Sequence, residues 1–192
     1  MESPLLGEYL SRYGSLERDP LCPEILAWNT MDFSGLWKAA RALDEKAQVP
    51  YWGIVWPGGR GLARYVLDNP QMFAGRRVLD IGTGSGICAV AAAMAGAEVT
   101  GVDISAEALE LAQRTADANG VTCRWELPSG ASFLPPAMEK YEIILAGDLF
   151  NEEAFSRSVI AMLRACASCG VKNIVAVASG KVTKGEELGF YN

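Results

Sequence analysis

The segment Val78-Leu79-Asp80-Ile81-Gly82-Thr83-Gly84-Ser85-Gly86 carries the strongest structural signal in the chain. A short apolar strand runs through an acid into three glycines at alternate positions. An alanine-rich helix is predicted from about Ile87 to Ala95, and a second strand, Glu98 to Val102, ends at Asp103. This succession of strand, glycine loop, helix, strand and acid predicts a Rossmann-like unit, which binds a nucleoside at the carboxyl ends of parallel strands.

The glycine spacing narrows the choice of nucleoside. A dinucleotide fingerprint reads G-x-G-x-x-G, and its helix N-terminus faces a pyrophosphate. Here position 87 is Ile, and Asp80 stands two residues before the first glycine. A carboxylate there would repel a pyrophosphate but suits a cationic or amine-bearing ligand. An NAD enzyme is therefore the least favoured alternative.

The unit of strand, glycine loop, helix, strand and acid suits S-adenosylmethionine, which carries a ribose, an α-ammonium and a sulfonium and has no phosphate. Asp103 lies 21 residues after Gly82, near the spacing expected for an acid that accepts the ribose hydroxyls. Thr83 and Ser85 are candidates for its carboxylate, and Asp80 would orient loop amides or meet the α-ammonium through water. The competing interpretation is a glycine-rich turn in an ordinary α/β protein, with Asp103 as a helix cap. The candidate cofactor-binding residues of this unit are Asp80, Gly82, Thr83, Gly84, Ser85, Gly86, Asp103 and Ile104.

Bulk properties set limits on the class of protein. The chain has 192 residues, half of them hydrophobic, which predicts a single domain with one packed core. Its formal charge is −6, which argues against a nucleic-acid surface and suits a basic partner such as a lysine-bearing protein segment. No apolar run reaches the length of a membrane span, and no secretory signal is visible, so we expect no membrane association.

The inventory of His and Cys excludes many mechanisms. The chain has no His, so Ser-His-Asp triads, Cys-His pairs and H-E-x-x-H metal sites are absent, and we expect no metal. Five cysteines suit reduced thiols and a cytoplasmic location, and Cys166 and Cys169 are interpreted as small buried or half-buried residues. Methyl transfer from a sulfonium remains possible because the donor carries its own leaving group and positioning does most of the work.

The remaining pattern predicts a helical lid on an α/β core. Residues 1 to about 47 indicate helices and turns, with Ser34 as a possible N-cap, and residues 1–49 are predicted to pack as a lid on a domain formed by residues 50–192. Pro50 to Pro57 is expected to be extended, followed by a helix from Arg60 to Asp68.

Five strands are predicted for the sheet of this core. They are Arg77 to Ile81, Glu98 to Val102, Thr122 to Leu127, Tyr141 to Ala146 and Asn173 to Ala178. Right-handed crossovers predict a doubly wound Rossmann-like sheet with strand order near 3-2-1-4-5 and the site between strands one and four. Helices are expected over Ala106 to Asn119 and Glu152 to Ser168. Only Gly180 to Asn192 follows, so we expect the terminal hairpin of the sheet to be short or missing. Either the chain is truncated, or the fifth strand is an unprotected edge that permits a weak homodimer.

Further motifs resemble a known family. They are Pro50-Tyr51-Trp52-Gly53-Ile54-Val55-Trp56-Pro57-Gly58-Gly59, Leu62-Ala63-Arg64-Tyr65-Val66-Leu67-Asp68-Asn69-Pro70, Cys22-Pro23-Glu24-Ile25 and Gly147-Asp148-Leu149-Phe150. With the glycine loop, they resemble class I S-adenosylmethionine-dependent methyltransferases of methyltransferase family 16. The nearest branch holds lysine methyltransferases of the electron-transfer flavoprotein β subunit and nicotinamide N-methyltransferase-like proteins. The resemblance runs from about Leu21 to Ala178.

The resemblance implies roles for further residues. Trp56 would contact the cofactor pocket, and Trp125 and Glu126 would approach the adenine, although core packing is an equal alternative for Trp125. Asp148 would hold and orient the acceptor amine while water takes its proton, or else cap the helix near position 152. Phe150 would belong to an aromatic wall around the amine.

Two departures from the family pattern affect the acceptor. The D-x-F-Y motif reads Asp148-Leu149-Phe150-Asn151 here, and Ala178-Ser179-Gly180-Lys181 replaces an acidic Gly-Asp-Pro-Gly pattern. Three hypotheses follow: a protein-lysine N-methyltransferase, a small-molecule (nicotinamide-like) N-methyltransferase, and a cofactor-binding module without activity. The expected partners are a protein lysine or a small amine, without nucleic acid, for a monomer or weak homodimer.

Overall fold

A parallel sheet forms the centre of the structure, a computed structural model that describes residues 3–128, 138–150 and 153–177. Its strands are β3 (Arg77–Ile81), β4 (Glu98–Val102), β5 (Arg124–Glu126), β6 (Ile143–Gly147) and β7 (Asn173–Val177), with the N-terminal hairpin supplying β1 (Gly14–Arg18) and β2 (Leu26–Thr30). The spatial order is β5-β4-β3-β6-β7. Counted within the core alone, this is the predicted 3-2-1-4-5 order, and the α/β fold class is confirmed.

Helices cover both faces of this sheet. The described helices are α1 (Pro4–Glu8), α2 (Phe33–Leu43), α3 (Pro57–Asp68), α4 (Pro70–Phe73), α5 (Ile87–Met94), α6 (Ala106–Ala118) and α7 (Glu153–Ser168), of which α3 and α5 pack on one face and α7 on the other. On β3, Val78 packs into the cluster formed with α3 and α5, while Leu79 and Ile81 pack into the cluster formed with α7. Neighbouring side chains of a strand point to opposite faces, so a doubly covered strand needs apolar residues at successive positions.

The alanine-rich segment after the glycine loop allows close helix packing. Ala89, Ala91 and Ala92 of α5 are fully buried in the cluster that also contains Leu62 and Val66 of α3. Because alanine combines high helix propensity with a small side chain, α5 can lie between the sheet and a second helix. This packing brings the N-terminus of α3 to the carboxyl end of the sheet.

The N-terminal region departs from the helical prediction. α1 continues into a π-helical turn, Tyr9–Tyr13, but β1 and β2 then form an antiparallel hairpin. The Asn119 side chain anchors this hairpin, because it accepts a hydrogen bond from Leu26 N at 2.9 Å and donates to Leu26 O at 2.7 Å. Such long-range pairing leaves little trace in local helical periodicity, so the sequence pattern missed it.

Two local predictions are also corrected. Asp32, not Ser34, caps α2, since its carboxylate accepts from Gly35 N at 2.8 Å. The segment expected to be extended from Pro50 contains a 3₁₀ turn at Tyr51–Gly53, and a second 3₁₀ turn lies at Met138–Lys140. Asn151, most of the predicted loop 128–137 and the tail 178–192 lie outside the described residues.

No helix in the described ranges combines the length and the apolar character that a membrane crossing would need.

Candidate active site

A cavity of about 1250 Å³ opens at the carboxyl ends of β3, β4 and β6. Part of its wall comes from the N-terminal region, namely α2 and the segment before the 3₁₀ turn at Tyr51. Its described lining includes five carboxyl-bearing side chains and no Lys, Arg or His; the five are Asp44, Asp80, Asp103, Glu107 and Asp148. A cavity with this lining attracts cations and repels phosphates.

The glycines of the loop serve different purposes. All three have positive φ, at +64°, +54° and +87° for Gly82, Gly84 and Gly86. A Cβ at Gly82 would overlap the Leu149 side chain, and one at Gly86 would lie 2.9 Å from Cβ of Ala112. At Gly84 no protein atom stands closer than 3.9 Å to a Cβ position. Gly84 therefore leaves open space for a ligand, whereas its two neighbours allow helices and loops to pack.

Asp103 binds the glycine loop from the end of β4. Its Oδ2 accepts from Gly84 N at 2.9 Å and its Oδ1 from Ser105 N at 3.0 Å. Burial raises the pKa of Asp103, while the amides of Ser105 and Gly84 lower it. Ser105 itself caps α6 by accepting from Ala108 N. Ile104 is 50% exposed and lines the cavity beside this acid.

Asp80 is a buried acid beneath the loop. It is only 2% exposed, and Thr83 Oγ1 donates a 2.6 Å hydrogen bond to its Oδ2. Burial raises its pKa to about 7, although Thr83 stabilises the charged form. The carboxyl group thus fixes the loop through Thr83, close to the predicted orienting role. Ser85, also buried, lines the same cavity.

Asp148 joins three elements at the end of β6. Its Oδ2 accepts from Gly58 N at 2.5 Å and from Gly59 N at 3.2 Å, at the start of α3. Its own N–H donates to Val177 O on β7 at 2.8 Å. Its φ of +54° is unusual for a residue with a side chain. These two amides belong to α3, whereas residues 151 and 152, where the alternative cap would act, lie outside the described residues.

Aromatic rings form one side of the cavity mouth. Tyr51 and Trp56 both line it, with ring centroids 5.9 Å apart and planes inclined by 58°. Phe33 lies behind both rings, at 6.2 Å from Tyr51 and 6.1 Å from Trp56. Trp56 Nε1 donates to Tyr51 O at 2.8 Å, which fixes the indole. Trp56 therefore lines the cavity, and its contact with the cofactor stays a prediction.

Three predicted site residues lie elsewhere. Trp125 Nε1 donates to Gln113 on α6, and its ring packs over Gly101. Neither it nor Glu126 is among the described residues that line the cavity. Phe150 and Leu149 both pack against the cluster on the α7 side of the sheet, and of the two only Leu149 is among the described residues that line the cavity.

Cys88 and Glu107 are among the lining residues that the sequence analysis did not single out. Cys88 Sγ donates to Gly59 O at 3.2 Å, and burial raises its pKa strongly. Glu107 accepts hydrogen bonds from Ser3 Oγ at 2.9 Å and Ser105 Oγ at 2.8 Å. The position of Glu107 in the first turn after the Asp103 motif was an available signal, whereas the Cys88 contact depends on how α3 packs against α5.

The parallel sheet, the glycine loop and the acid after β4 define the Rossmann-like methyltransferase class. A family profile described as "Methyltransferase domain" matches residues 78–170, which spans the sheet from β3 to the end of α7.

Curated relatives give a narrower family. The electron transfer flavoprotein beta subunit lysine methyltransferase of Danio rerio is 38% identical over 119 residues, covering 61% of this chain and 45% of that protein. Its homolog in Caenorhabditis elegans is 30% identical over 171 residues, covering 82% of this chain and 70% of that protein. Among solved structures, the chain is also similar to the ribosomal protein L11 methylase of Lactobacillus delbrueckii subsp. bulgaricus, with 31% identity and a TM-score of 0.44, over 54% of this chain and 51% of that chain.

The chain belongs to the electron transfer flavoprotein beta subunit lysine methyltransferase family. The predicted resemblance, the methyltransferase class and S-adenosylmethionine as the family's cofactor are thereby confirmed. The match spans about half the length of the first vertebrate relatives.

Proposed function

We propose that the protein is an S-adenosylmethionine-dependent N-methyltransferase whose acceptor is a lysine side chain of a protein. The observation that carries the proposal is the lining of the cavity, which has five carboxyl groups and no basic side chain among its described residues. Both the sulfonium of the donor and the ammonium of a lysine are cations, so the same field attracts both ligands. The curated family supports a protein acceptor.

The cofactor fits the β3–β4 side of the cavity. Gly84 leaves the open space that a ligand would occupy, and Asp103 stands beside it with a carboxylate able to accept ribose hydroxyls. Ile104 offers an apolar contact to a base. A pyrophosphate would meet Asp80 and Asp103, and the described lining offers no Lys or Arg to compensate its charge, which disfavours a nicotinamide dinucleotide.

Asp148 is assigned to the acceptor side. The cofactor supplies an electrophilic methyl group whose bond to sulfur breaks, with the electron pair leaving on sulfur, as the bond to nitrogen forms. The amine must first lose a proton, which solvent accepts. The Asp148 carboxylate lies at the β6 end of the cavity, where its charge attracts and orients the amine. Because Oδ2 is held by two amides, the group is fixed before the acceptor arrives.

Calorimetry with S-adenosylhomocysteine, followed by incubation with labelled cofactor and protein extracts, tests the proposal. We expect binding and a labelled protein band. Absence of cofactor binding would contradict the proposal, and label found only in a small metabolite would favour the nicotinamide-like alternative. Binding without any transfer would favour the inactive module.

The substitution Asp148→Asn removes the negative charge of the side chain while it keeps the shape of the side chain. An asparagine oxygen can still accept from the amides of α3, and asparagine tolerates positive φ. We expect the fold to persist while turnover falls at least about 100-fold. Asp68→Asn, the same change at an exposed site on α3, is the matched control and should leave turnover unchanged. Normal turnover of Asp148→Asn would remove Asp148 from the acceptor site.

The monomeric or weakly dimeric state, the lack of nucleic-acid binding and the cytoplasmic location stay predictions from the sequence.

A further inference from the structure

We propose that Tyr51 and Trp56 form the aromatic wall that holds the alkylammonium group of the methyl acceptor. The inference deepens the proposed function and rests on it. It assigns recognition to the segment before α3, because Phe150, two residues after Asp148, packs partly buried against the α7-side cluster and is not among the described residues that line the cavity.

The position of the two rings supports an acceptor role. Trp56 is the N-cap residue of α3, and the amides of Gly58 and Gly59 just after it bind the Asp148 carboxylate. The backbone of Trp56 therefore adjoins the amides that bind Asp148, whereas Asp103 binds Gly84 at the end of β4. Tyr51, Trp56 and Asp148 all line the cavity.

The geometry of the rings suits a rounded cation. Their planes are inclined by 58° at a centroid separation of 5.9 Å, which makes an open corner rather than a closed stack. An alkylammonium group placed in such a corner is attracted by the faces of both rings. Tyr51 is 47% exposed although it is a large aromatic side chain, so its outer surface is available to a ligand.

The corner is also rigid and surrounded by negative charge. Phe33 supports both rings from behind, and the bond from Trp56 Nε1 to Tyr51 O fixes the indole. Asp44 and Asp148 line the same cavity. Rings held in place before binding lose little entropy when the ligand arrives, which improves affinity.

A pair of probes that differ only in charge tests the wall. Nε-trimethyllysine amide and its neutral carbon isostere are titrated into the protein saturated with S-adenosylhomocysteine. We expect the cation to bind at least about fivefold more tightly than the isostere. Tyr51→Leu and Trp56→Leu should bring this ratio close to one, while Tyr51→Phe keeps it.

Controls separate this inference from the proposed function. Tyr65→Leu removes an exposed ring on α3 outside the described cavity lining and should leave the ratio unchanged. Unchanged affinity of Tyr51→Leu for S-adenosylhomocysteine shows that the variant is folded. Equal affinity for the two probes would contradict the proposed aromatic wall. An affinity ratio that is unchanged in Tyr51→Leu would contradict it as well. Failure of S-adenosylhomocysteine to bind refutes the proposed function. The ratio of the two probe affinities, measured in the absence of S-adenosylhomocysteine, still tests whether Tyr51 and Trp56 bind the cation.

Discussion

The contact between Gly58 and Asp148 shows how one missing side chain positions a charge. A Cβ at Gly58 would lie 2.5 Å from Asp148 Oδ1 and 2.7 Å from its Cγ. Only glycine therefore lets the first amides of α3 reach this carboxylate. The Trp-Pro-Gly-Gly motif combines a ring at the cavity mouth with an amide pair that fixes the acid.

Gly58→Ala should destabilise the protein. The added methyl group forces the Asp148 carboxylate away from its two amides, at a cost of roughly 1–3 kcal/mol for overpacking and lost hydrogen bonds. The free energy of unfolding in urea measures the effect. Gly61→Ala is the matched control in the same helix, since no atom lies within 4 Å of its Cβ position, and it should stabilise by about 0.5–1 kcal/mol. Equal stability of the two variants would contradict this account.

Asp80 should make the unliganded protein less stable as the pH rises towards neutrality. Burial raises its folded pKa to about 7 from the ordinary value of 3.8, so between these pH values the folded state binds more protons than the unfolded state. The free energy of unfolding then falls with rising pH, by at most about 1.4 kcal/mol per pH unit for one group, and levels off above pH 7. Urea titrations at a series of pH values measure this slope.

Asp80→Asn supplies the comparison. The amide keeps an oxygen that accepts from Thr83 and removes the titrating group, so this part of the slope should disappear. The pKa of Asp103 is also raised, so Asp103 contributes a remaining pH dependence of the free energy of unfolding in both Asp80→Asn and the unaltered chain. An identical slope in Asp80→Asn and the unaltered chain would rule out Asp80 as its source.

At the level of elements, Asn119 attaches the N-terminal hairpin to α6. Its side chain bonds both backbone groups of Leu26 and also donates to Thr115 O at 2.7 Å. Asn119→Ala leaves the Leu26 groups unpaired, so we expect a loss of about 1–3 kcal/mol and faster amide exchange over β1 and β2. Hydrogen exchange followed by mass spectrometry locates the change.

Asn69→Ala is the control for this prediction. Asn69 ends α3 with one exposed hydrogen bond to Tyr65 O, so its removal should change the stability by no more than about 0.5 kcal/mol. If exchange over the hairpin were the same in both variants, Asn119 would not be its anchor.

The core elements were predictable because their signals are local. β3 and β4 have the predicted bounds, since each is a buried apolar run ended by an acid or a glycine loop. The hairpin and the Asp32 cap were missed because they depend on partners that local periodicity does not identify. Helices around the sheet were correct to within a few residues at their ends.

The candidate site was predictable only where backbone geometry decides it. Gly84, Asp103 and Asp148 reach the cavity because strand ends and loops carry them there. Trp125 and Phe150 depended on side-chain direction, which the packing of α6 and α7 determines. No role was predicted for Tyr51, although it belongs to the motif that ends in Trp-Pro-Gly-Gly, because its exposure at the cavity follows from tertiary structure.

For the whole molecule, ligand binding should appear as thermal stabilisation. S-adenosylhomocysteine at about 100 times its dissociation constant should add about 2.7 kcal/mol, which raises Tm by roughly 5–10 °C in a domain of this size. NAD⁺ at the same concentration is the control and should leave Tm unchanged because its phosphates oppose the acidic lining. A larger increase in Tm with NAD⁺ than with S-adenosylhomocysteine would contradict the inference that the acidic lining repels phosphates.

The acidic lining also has a consequence for inhibitor chemistry. A compound that joins an adenosine to a primary or tertiary amine through a short alkyl linker would place its nucleoside near Asp103 and its amine near Asp148. Nucleotide mimics with phosphate or sulfonate groups would be repelled from the same space. Selectivity against kinases and dehydrogenases thus follows from the sign of the charge alone.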